Sequence, residues 1–341
     1  MSHFDYEPRT MKDVESNVSE TVYISLGFDA GSPSLIIIIA FILSCGALFN
    51  IYTGYALIYT PISSKLTKLL LYNQVTVDCL FCIMVIVTIV TNNFKPRSPQ
   101  EPIKSLVCYI LQSGYLIQVI RLMIVLNVVC FSADRFWAIM YRKTYRLHAN
   151  LYITICYTIV PIYSLLCAMG SFAGVVSSKG SCLNQITWAD WFILKTINGL
   201  LRYAVPMFAL VVLNMLIIRK LYRLEIISFE KCRIRFHTRI TVSNDQLLSS
   251  DVINTVTLVH RDIFLNVIGL TIESTIFETL AIVITCLYEW NRESWGIGSY
   301  AHLFGLFFLG VSSGLHPFLE IFSVKELKIT VSNHYRSLCF S

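Results

Sequence analysis

Apolar residues in this chain are gathered into blocks that are long enough to cross a membrane. The first block contains the run "LIIIIAFILSCGALFNIYTGYAL", which has no charged side chain. A helix needs about 20 mostly apolar residues to span the hydrocarbon core of a bilayer. Only 14% of the 341 residues are charged, whereas soluble domains average about 25%. The sequence therefore predicts an integral membrane protein.

Lipid offers no hydrogen-bond partners to the backbone, so each block is predicted to be a helix. We predict seven spans, at Pro33 to Tyr59 and at about Leu66 to Val90, Ser105 to Ile139, Leu151 to Val175, Trp191 to Leu221, Ile263 to Tyr288 and Ile297 to Phe322. The predicted fold class is an all-α membrane protein with a seven-transmembrane helix bundle. Residues 1–32 would form an extracellular tail, 33–322 the membrane domain with an inner loop at 222–262, and 323–341 a cytoplasmic tail. The first block is too long for a cleavable signal peptide, and none is expected.

Basic residues are concentrated in alternate connections, and basic loops favour the cytoplasmic side of a membrane. The connections after spans one, three and five and the segment after span seven carry Lys65, Lys68, Arg142, Lys143, Arg146, Arg223, Lys231, Arg233, Arg235, Arg239, Lys325, Lys328 and Arg336. This pattern predicts a multi-pass membrane protein with its N-terminus outside and its C-terminus inside. The sequon "NVS" at Asn17 fits that orientation, because N-glycosylation takes place on the lumenal or outer side.

Most of the 11 cysteines lie in apolar blocks and are interpreted as small buried hydrophobic residues. Cys79 and Cys82 have a CxxC spacing but no histidine or further cysteine nearby, so no metal site is predicted there. Cys108 and Cys182 both fall outside, where an oxidising compartment allows a disulfide; two unrelated free thiols are the alternative. Cys339 in the inner tail is a candidate for palmitoylation.

Several motifs on the predicted spans resemble those of rhodopsin-like, class A G-protein-coupled receptors. The matching positions are Asn50 in "GALFNIY", Asp78 in "NQVTVDCL", Asp134, Arg135 and Phe136 in "SADRFWAI", Pro206 in "AVPMFAL", and His316, Pro317 and Glu320 in "HPFLEIF". The segment "SVKELKITV" is similar to the short amphipathic helix that follows span seven in this family. The resemblance implies a receptor that binds an extracellular ligand and activates a heterotrimeric G protein through Asp134, Arg135 and Phe136.

The chain departs from the family pattern on several spans, as a divergent orphan-type member would. Span six lacks the Cys-Trp-x-Pro motif, span four lacks the family's tryptophan, and Asn214 stands on span five where a tyrosine is usual. The spacing from Cys108 to Arg135 is longer than usual, which predicts a distortion at the top of span three. These departures predict an altered activation machinery in spans six and seven.

Ionisable side chains inside the membrane are costly and mark functional sites. Asp78 resembles the family's sodium-site aspartate, and the resemblance groups it into an intramembrane polar cluster with Asn50, Ser312, Ser313, His316, Pro317 and Glu320. This cluster would hold Na⁺ or a proton, or His316 would pair with Asp78 and replace the ion. Ile124 stands where the family has a serine ligand for sodium. No other cofactor is predicted.

The resemblance places Ile117, Gln118, Arg121 and Glu278 at the floor of the ligand pocket. In the family's register Glu278 takes the place of the missing tryptophan and faces Arg121, so a salt bridge between them is predicted. The alternatives are that Arg121 pairs with Asp78 or Glu273, or binds an acidic ligand. Ile117 stands where amine receptors keep an aspartate, which argues against an amine and favours a peptide ligand.

Two other classes of function remain as alternatives. A transporter or channel would suit the intramembrane charges, but the halves show no repeat and no pair of helices broken by glycine or proline. A receptor-like protein without G-protein output is the second alternative. No set of nucleophile, base and orienting group is present, so an enzyme is not expected. The basic inner loops would attract anionic membrane lipids at about 1 kcal/mol per residue, and nucleic acid is not an expected partner.

Overall fold

The structure is a computed structural model that describes residues 24–25, 33–62, 64–93, 108–173, 175–178, 181–184, 196–197, 199–238, 268–284 and 300–340. Asn17 lies outside the described residues, as do the side chains of Cys108, Cys182 and Cys339. The described chain is almost entirely helical. Its helices are α1 (Pro33–Tyr59), α2 (Lys65–Asn93), α3 (Tyr115–Met140), α4 (Arg142–Ala173), α5 (Val205–Thr238), α6 (268–284), α7 (Tyr300–Ser323) and α8 (Lys325–Phe340).

Six helical segments in the described chain are long and apolar enough to cross a membrane. They are Ser34–Tyr59, Lys65–Thr91, Tyr109–Met140, Leu147–Gly170, Leu200–Lys220 and Phe304–Phe322. Large apolar side chains stand on their outer faces, including Phe41, Leu166 and Phe208. Such faces are costly in water and suit contact with lipid tails. The helix α6 lies within the sixth predicted span but is not among these six segments.

A small antiparallel sheet is the only β-structure among the described residues. Its strands are β1 (Ile24–Ser25), β2 (Val175–Ser178) and β3 (Ser181–Asn184), in the spatial order β1, β3, β2. Strands β2 and β3 lie against the π-helical turn Cys108–Gln112 at the start of the third membrane segment. The sheet thus closes over the end of the bundle at which α4 ends and α3 begins.

The top of the third segment is interrupted, as the long spacing to Arg135 predicts. Gly114 follows the π-helical turn with a φ of 71° and precedes the first residue of α3. Only glycine adopts this left-handed conformation without a steric cost. The π-helical turn and the left-handed residue together separate the start of this segment from the regular part of α3.

Helix α4 begins before its predicted span, and helix α5 continues beyond its predicted span. Helix α4 begins at Arg142 and has a non-helical residue at His148 (φ −117°, ψ 15°), which separates a short N-terminal segment from the membrane segment. Helix α5 follows the π-helical turn Leu200–Ala204 and continues to Thr238. The first part of the inner loop predicted at 222–262 is therefore helical.

The core is apolar, and it is closed on one side by a tight contact between α1 and α7. Phe81, Leu43 and Ile124 are fully buried in the cluster that joins α1, α2, α3 and α7. A Cβ atom added to Gly46 would lie 3.3 Å from the Cα atom of Gly314. This close backbone approach places the polar groups of the two helices side by side.

Candidate functional site

Buried polar side chains on α2, α3, α6 and α7 form three groups along the bundle. We call them the outer pair (Arg121 and Glu278), the central cluster (Gln74, Asp78, Glu273, His316 and Glu320) and the inner pair (Asp134 and Arg135). A buried charge is tolerated only where other groups neutralise it or form hydrogen bonds with it. The partners of each group therefore decide what the group can do.

The outer pair joins α3 to α6. Arg121 Nε donates to Glu278 Oε1 at 2.5 Å, and Arg121 is only 6% exposed. The guanidinium also reaches Ser312 Oγ at 3.4 Å and lies 5.8 Å from the ring centroid of Phe81, within the range of a cation–π contact. Arg121 interacts electrostatically with Glu273 as well. Its direct carboxylate partner is Glu278, so the structure brings together the two residues of the predicted salt bridge.

The other predicted pocket residues lie one turn closer to the start of α3. Ile117 is buried in the apolar cluster that contains Phe81. Gln118 is half-buried, and its backbone N–H donates to the carbonyl of Gly114 at 3.0 Å. An apolar Ile117 offers no charge for an amine ligand. Arg121 and Glu278 thus supply the charge at the base of this region.

The central cluster is organised around His316, which is completely buried. Its Nδ1 atom lies 2.8 Å from Asp78 Oδ2, and its Nε2 atom lies 2.8 Å from Glu273 Oε2. The two carboxylates belong to α2 and α6, while His316 belongs to α7. One imidazole therefore links three helices through both of its ring nitrogens.

Two neutral amides that the sequence analysis did not select hold Asp78 in place. Gln74 Nε2 donates to Asp78 Oδ2 at 2.9 Å, and Asn127 Nδ2 on α3 donates to Gln74 Oε1 at 2.7 Å. Asn127 Oδ1 in turn accepts from Asn73 Nδ2 at 3.0 Å. Gln74 stands one helical turn before Asp78, a spacing that places both side chains on one face of α2. The spacing between Gln74 and Asp78 is the feature of the sequence that could have identified Gln74 as a neighbour of Asp78.

Pro317 explains how Asn50 is anchored to α7. Proline has no backbone N–H, so it leaves the carbonyl of the residue four positions earlier, Ser313, without its helical donor. Asn50 Nδ2 donates to that carbonyl at 3.0 Å and to the carbonyl of Gly46 at 2.9 Å. Ser313 and Ser312 are both fully buried. The predicted polar residues of α1 and α7 therefore meet, and Ser312 contacts both Arg121 of the outer pair and Glu273 of the central cluster.

Glu320 lies one turn beyond His316 on α7 and is completely buried. Neither of its carboxylate oxygens has a hydrogen-bond partner among the residues that the structure describes. It is close enough to Asp78 and His316 to interact with both electrostatically. An ionised carboxylate in such a position would be strongly penalised.

The residues around Asp78 fit a sodium ion poorly. Oδ2 of Asp78 is already used by Gln74 and His316, so that only Oδ1 is left without a hydrogen-bond partner among the described residues. Ile124 is a fully buried hydrocarbon and offers no oxygen ligand. Hard cations such as Na⁺ need several oxygen ligands, and here an imidazole takes one of those places.

The inner pair lies at the end of α3. Arg135 Nε donates to Asp134 Oδ2 at 2.9 Å, and its Nη2 reaches both that oxygen and the hydroxyl of Thr67 on α2. Tyr145 on α4 donates its hydroxyl to Asp134 Oδ1 at 2.8 Å. Burial raises the pKa of Tyr145 to about 12, so this group stays a donor at physiological pH. Phe136 makes an edge contact with Tyr141, with 6.3 Å between ring centroids.

The predicted disulfide joins two elements that are neighbours. Cys108 begins the π-helical turn, Cys182 belongs to β3, and the two elements contact each other. The cysteine side chains lie outside the described residues. The disulfide stays a prediction.

The fold and the buried groups define a helical membrane protein with an ionic network inside its bundle. Comparison with protein-family models and with curated proteins finds no match for the chain.

Proposed function

We propose that the chain is a rhodopsin-like G-protein-coupled receptor of the plasma membrane, with seven spans and an extracellular N-terminus. The proposal counts α6 as the sixth span, between the segments at Leu200–Lys220 and Phe304–Phe322. The motif positions Asn50, Asp78 and His316 support it, because they converge in one buried region between α1, α2 and α7.

The observation that carries the proposal is the state of Arg135. This arginine is 2% exposed and is held by Asp134 and Thr67 at the inner end of α3. A buried charge that is bound to its neighbour can be released when the adjacent helices separate, and it is then free to bind another group. A G protein docking under α3, α5 and α6 would supply that group. Ligand binding would act by shifting the population toward the opened bundle.

The ligand would bind above the outer pair, near Ile117 and Gln118. Arg121 and Glu278 neutralise each other at the floor of this region. A ligand that draws on either charge would change how α3 is tied to α6. A peptide is the favoured class, since Ile117 gives an amine no carboxylate to bind.

The test is guanine-nucleotide exchange in membranes that contain the chain and a panel of heterotrimeric G proteins. Basal exchange above that of empty membranes is expected for at least one G protein. Arg135→Ala should reduce it about tenfold or more, because the group that meets the G protein is removed. Asp134→Asn should raise it, because it weakens the charge-assisted hydrogen bond that holds Arg135.

Arg336→Ala is the matched control, since Arg336 is an exposed arginine on α8. It should leave exchange within about twofold of the unmodified chain. Equal exchange for the unmodified chain and Arg135→Ala with every G protein would reject the proposal and favour a receptor-like protein without G-protein output. Ion flux in proteoliposomes without exchange would favour a transporter.

A further inference from the structure

We propose that the central cluster is a proton-binding site in place of a metal-ion site, with the proton shared by His316 and its carboxylates and a second one on Glu320. The proton ties α2, α6 and α7 together. This inference concerns the helix bundle itself and does not depend on coupling to a G protein.

The geometry of His316 carries the proposal. A neutral imidazole has one N–H donor and one lone pair, whereas an imidazolium has two donors. Both ring nitrogens lie 2.8 Å from a carboxylate oxygen, one of Asp78 and one of Glu273, and Nδ1 also lies 3.1 Å from the amide nitrogen of Gln74. Whichever group that amide donates to, each ring nitrogen still faces a carboxylate oxygen. With a neutral ring and two ionised acids, a lone pair would face an oxygen lone pair at one of these contacts. One further proton removes the conflict, either on the ring or on one of the two acids.

The charges around the cluster require a second proton. His316 faces Asp78 from α2, Glu273 from α6 and Glu320 from its own helix, while α1 contributes only the neutral Asn50. Arg121 on α3 also acts on Glu273, but its hydrogen-bonded carboxylate is Glu278. Three ionised acids would therefore exceed the charge of one imidazolium inside a membrane.

Glu320 is the acid that the structure marks for this second proton. Asp78 accepts hydrogen bonds from His316 and Gln74, and Glu273 accepts them from His316 and Ser312. Within the described part of the chain, neither oxygen of the fully buried Glu320 accepts any. Burying a carboxylate without a donor is far more costly than burying a carboxylic acid.

A pocket of oxygen atoms around Asp78 could in principle hold a metal cation. Here the imidazole of His316 occupies one oxygen of Asp78, and the side chain of Ile124 supplies no ligand. The positive charge beside Asp78 is therefore supplied by a side chain of the protein that has taken up a proton from solution. The folded bundle should respond to pH and not to sodium.

The experiment uses the purified full chain in lipid nanodiscs and measures the midpoint of thermal unfolding. The unfolded chain releases these protons near the ordinary pKa values of about 4.3 for Glu and about 6.5 for His. The folded chain keeps them to higher pH, so its stability is present at low pH and is lost as pH rises above those values. The midpoint is expected to fall by roughly 5 °C between about pH 6 and about pH 9. Replacing choline chloride by sodium chloride at equal ionic strength should leave it unchanged.

Three variants identify the groups. His316→Asn should remove most of the pH dependence, and Glu320→Gln should lessen it while keeping the chain folded, because an amide resembles a protonated acid in shape. His148→Asn is the matched control, since His148 is exposed on α4. It should keep the full pH dependence. A midpoint that rises with sodium, or a pH dependence that survives in both cluster variants, would overturn the proposal.

A measurement on the unmodified chain covers the case in which His316→Asn does not fold. The chain has 7 histidines, and nitrogen-15 spectra of labelled histidine distinguish an imidazolium from a neutral ring. One histidine should show two strongly hydrogen-bonded nitrogens whose signals stay unchanged between about pH 6 and about pH 8. An ordinary histidine, with a pKa of about 6.5, would titrate within this window. Titration of every histidine signal within this range would contradict the site.

Discussion

Arg121 and Glu278 are side chains that a membrane tolerates only together. Each is largely buried, with side chains 7% and 15% exposed, and they share a 2.5 Å contact between α3 and α6. Removing one partner of a buried pair typically costs about 3–5 kcal/mol, because the other charge is left without compensation. The contribution of this contact to the folded chain is therefore best tested by exchanging the two charges.

We predict that Arg121→Glu and Glu278→Arg each abolish most surface expression, since each places two like charges in contact. The double reversal should recover part of it, because the opposite charges are paired again. Full recovery is not expected, since the exchanged arginine loses its contacts with Ser312 and Phe81. Flow cytometry of a surface epitope provides the measurement.

Arg223→Glu is the control for that exchange, because Arg223 is an exposed arginine on α5. It should express like the unmodified chain. Expression of the double variant no better than that of either single reversal would show that the two side chains do not depend on each other.

The sequence marks these charges but not the neutral groups that support them. Arg121, Glu278 and His316 stand out because charged or titratable residues are rare within apolar blocks. Gln74 and Asn127 give no comparable signal, since their amide side chains carry no charge. Their hydrogen bond joins residues on α2 and α3. Only the packing of those helices shows that the amides meet.

At the scale of helices, the contact between α1 and α7 sets the position of the polar cluster. The backbones approach at Gly46 and Gly314, and the carbonyl of Ser313, left free by Pro317, accepts a hydrogen bond from Asn50. Small residues at helix interfaces allow such approach in membranes, where packing supplies much of the association energy. A side chain added here would push the two helices apart.

We predict opposite effects for the same substitution at two glycines. Gly46→Ala should destabilise the chain by about 1–3 kcal/mol, because its methyl group would meet the backbone of Gly314. At Gly305 a Cβ atom meets nothing within 4 Å. Gly305→Ala should instead stabilise α7 by up to about 1 kcal/mol through helix propensity.

Thermal unfolding in a mild detergent compares the two glycine variants directly, and each serves as the control for the other. Equal shifts in the unfolding midpoint would mean that the close approach of α1 to α7 contributes nothing to stability.

The hydropathy of the chain predicts which segments are membrane helices better than it predicts where those helices begin and end. Helix α3 starts only after Gly114, α4 starts before its kink at His148, and α5 runs on to Thr238. Hydropathy describes the part of a helix that lies in lipid. A left-handed glycine, a kink or a polar extension lies outside that part and depends on neighbouring elements.

At the scale of the whole molecule, the number of spans decides the orientation of the two ends. Six described segments meet the requirements of length and hydropathy, and α6 would make a seventh. An odd number of crossings places the N- and C-termini on opposite sides of the membrane, whereas an even number places them on the same side. The buried contacts of α6 with Arg121 and His316 place it beside α3 and α7.

We predict that the termini lie on opposite sides, with the N-terminus outside. Asn17 should then carry an N-linked glycan, and an epitope fused to the C-terminus should bind antibody only after the cells are permeabilised. The glycan appears as a loss of apparent mass on glycosidase treatment, and Asn17→Gln, which removes the sequon, is the control that should show no such loss. An epitope at the C-terminus that binds antibody on intact cells, together with a glycan on Asn17, would give an even number of spans. Helix α6 would then not cross the membrane, and the seven-span receptor would be excluded.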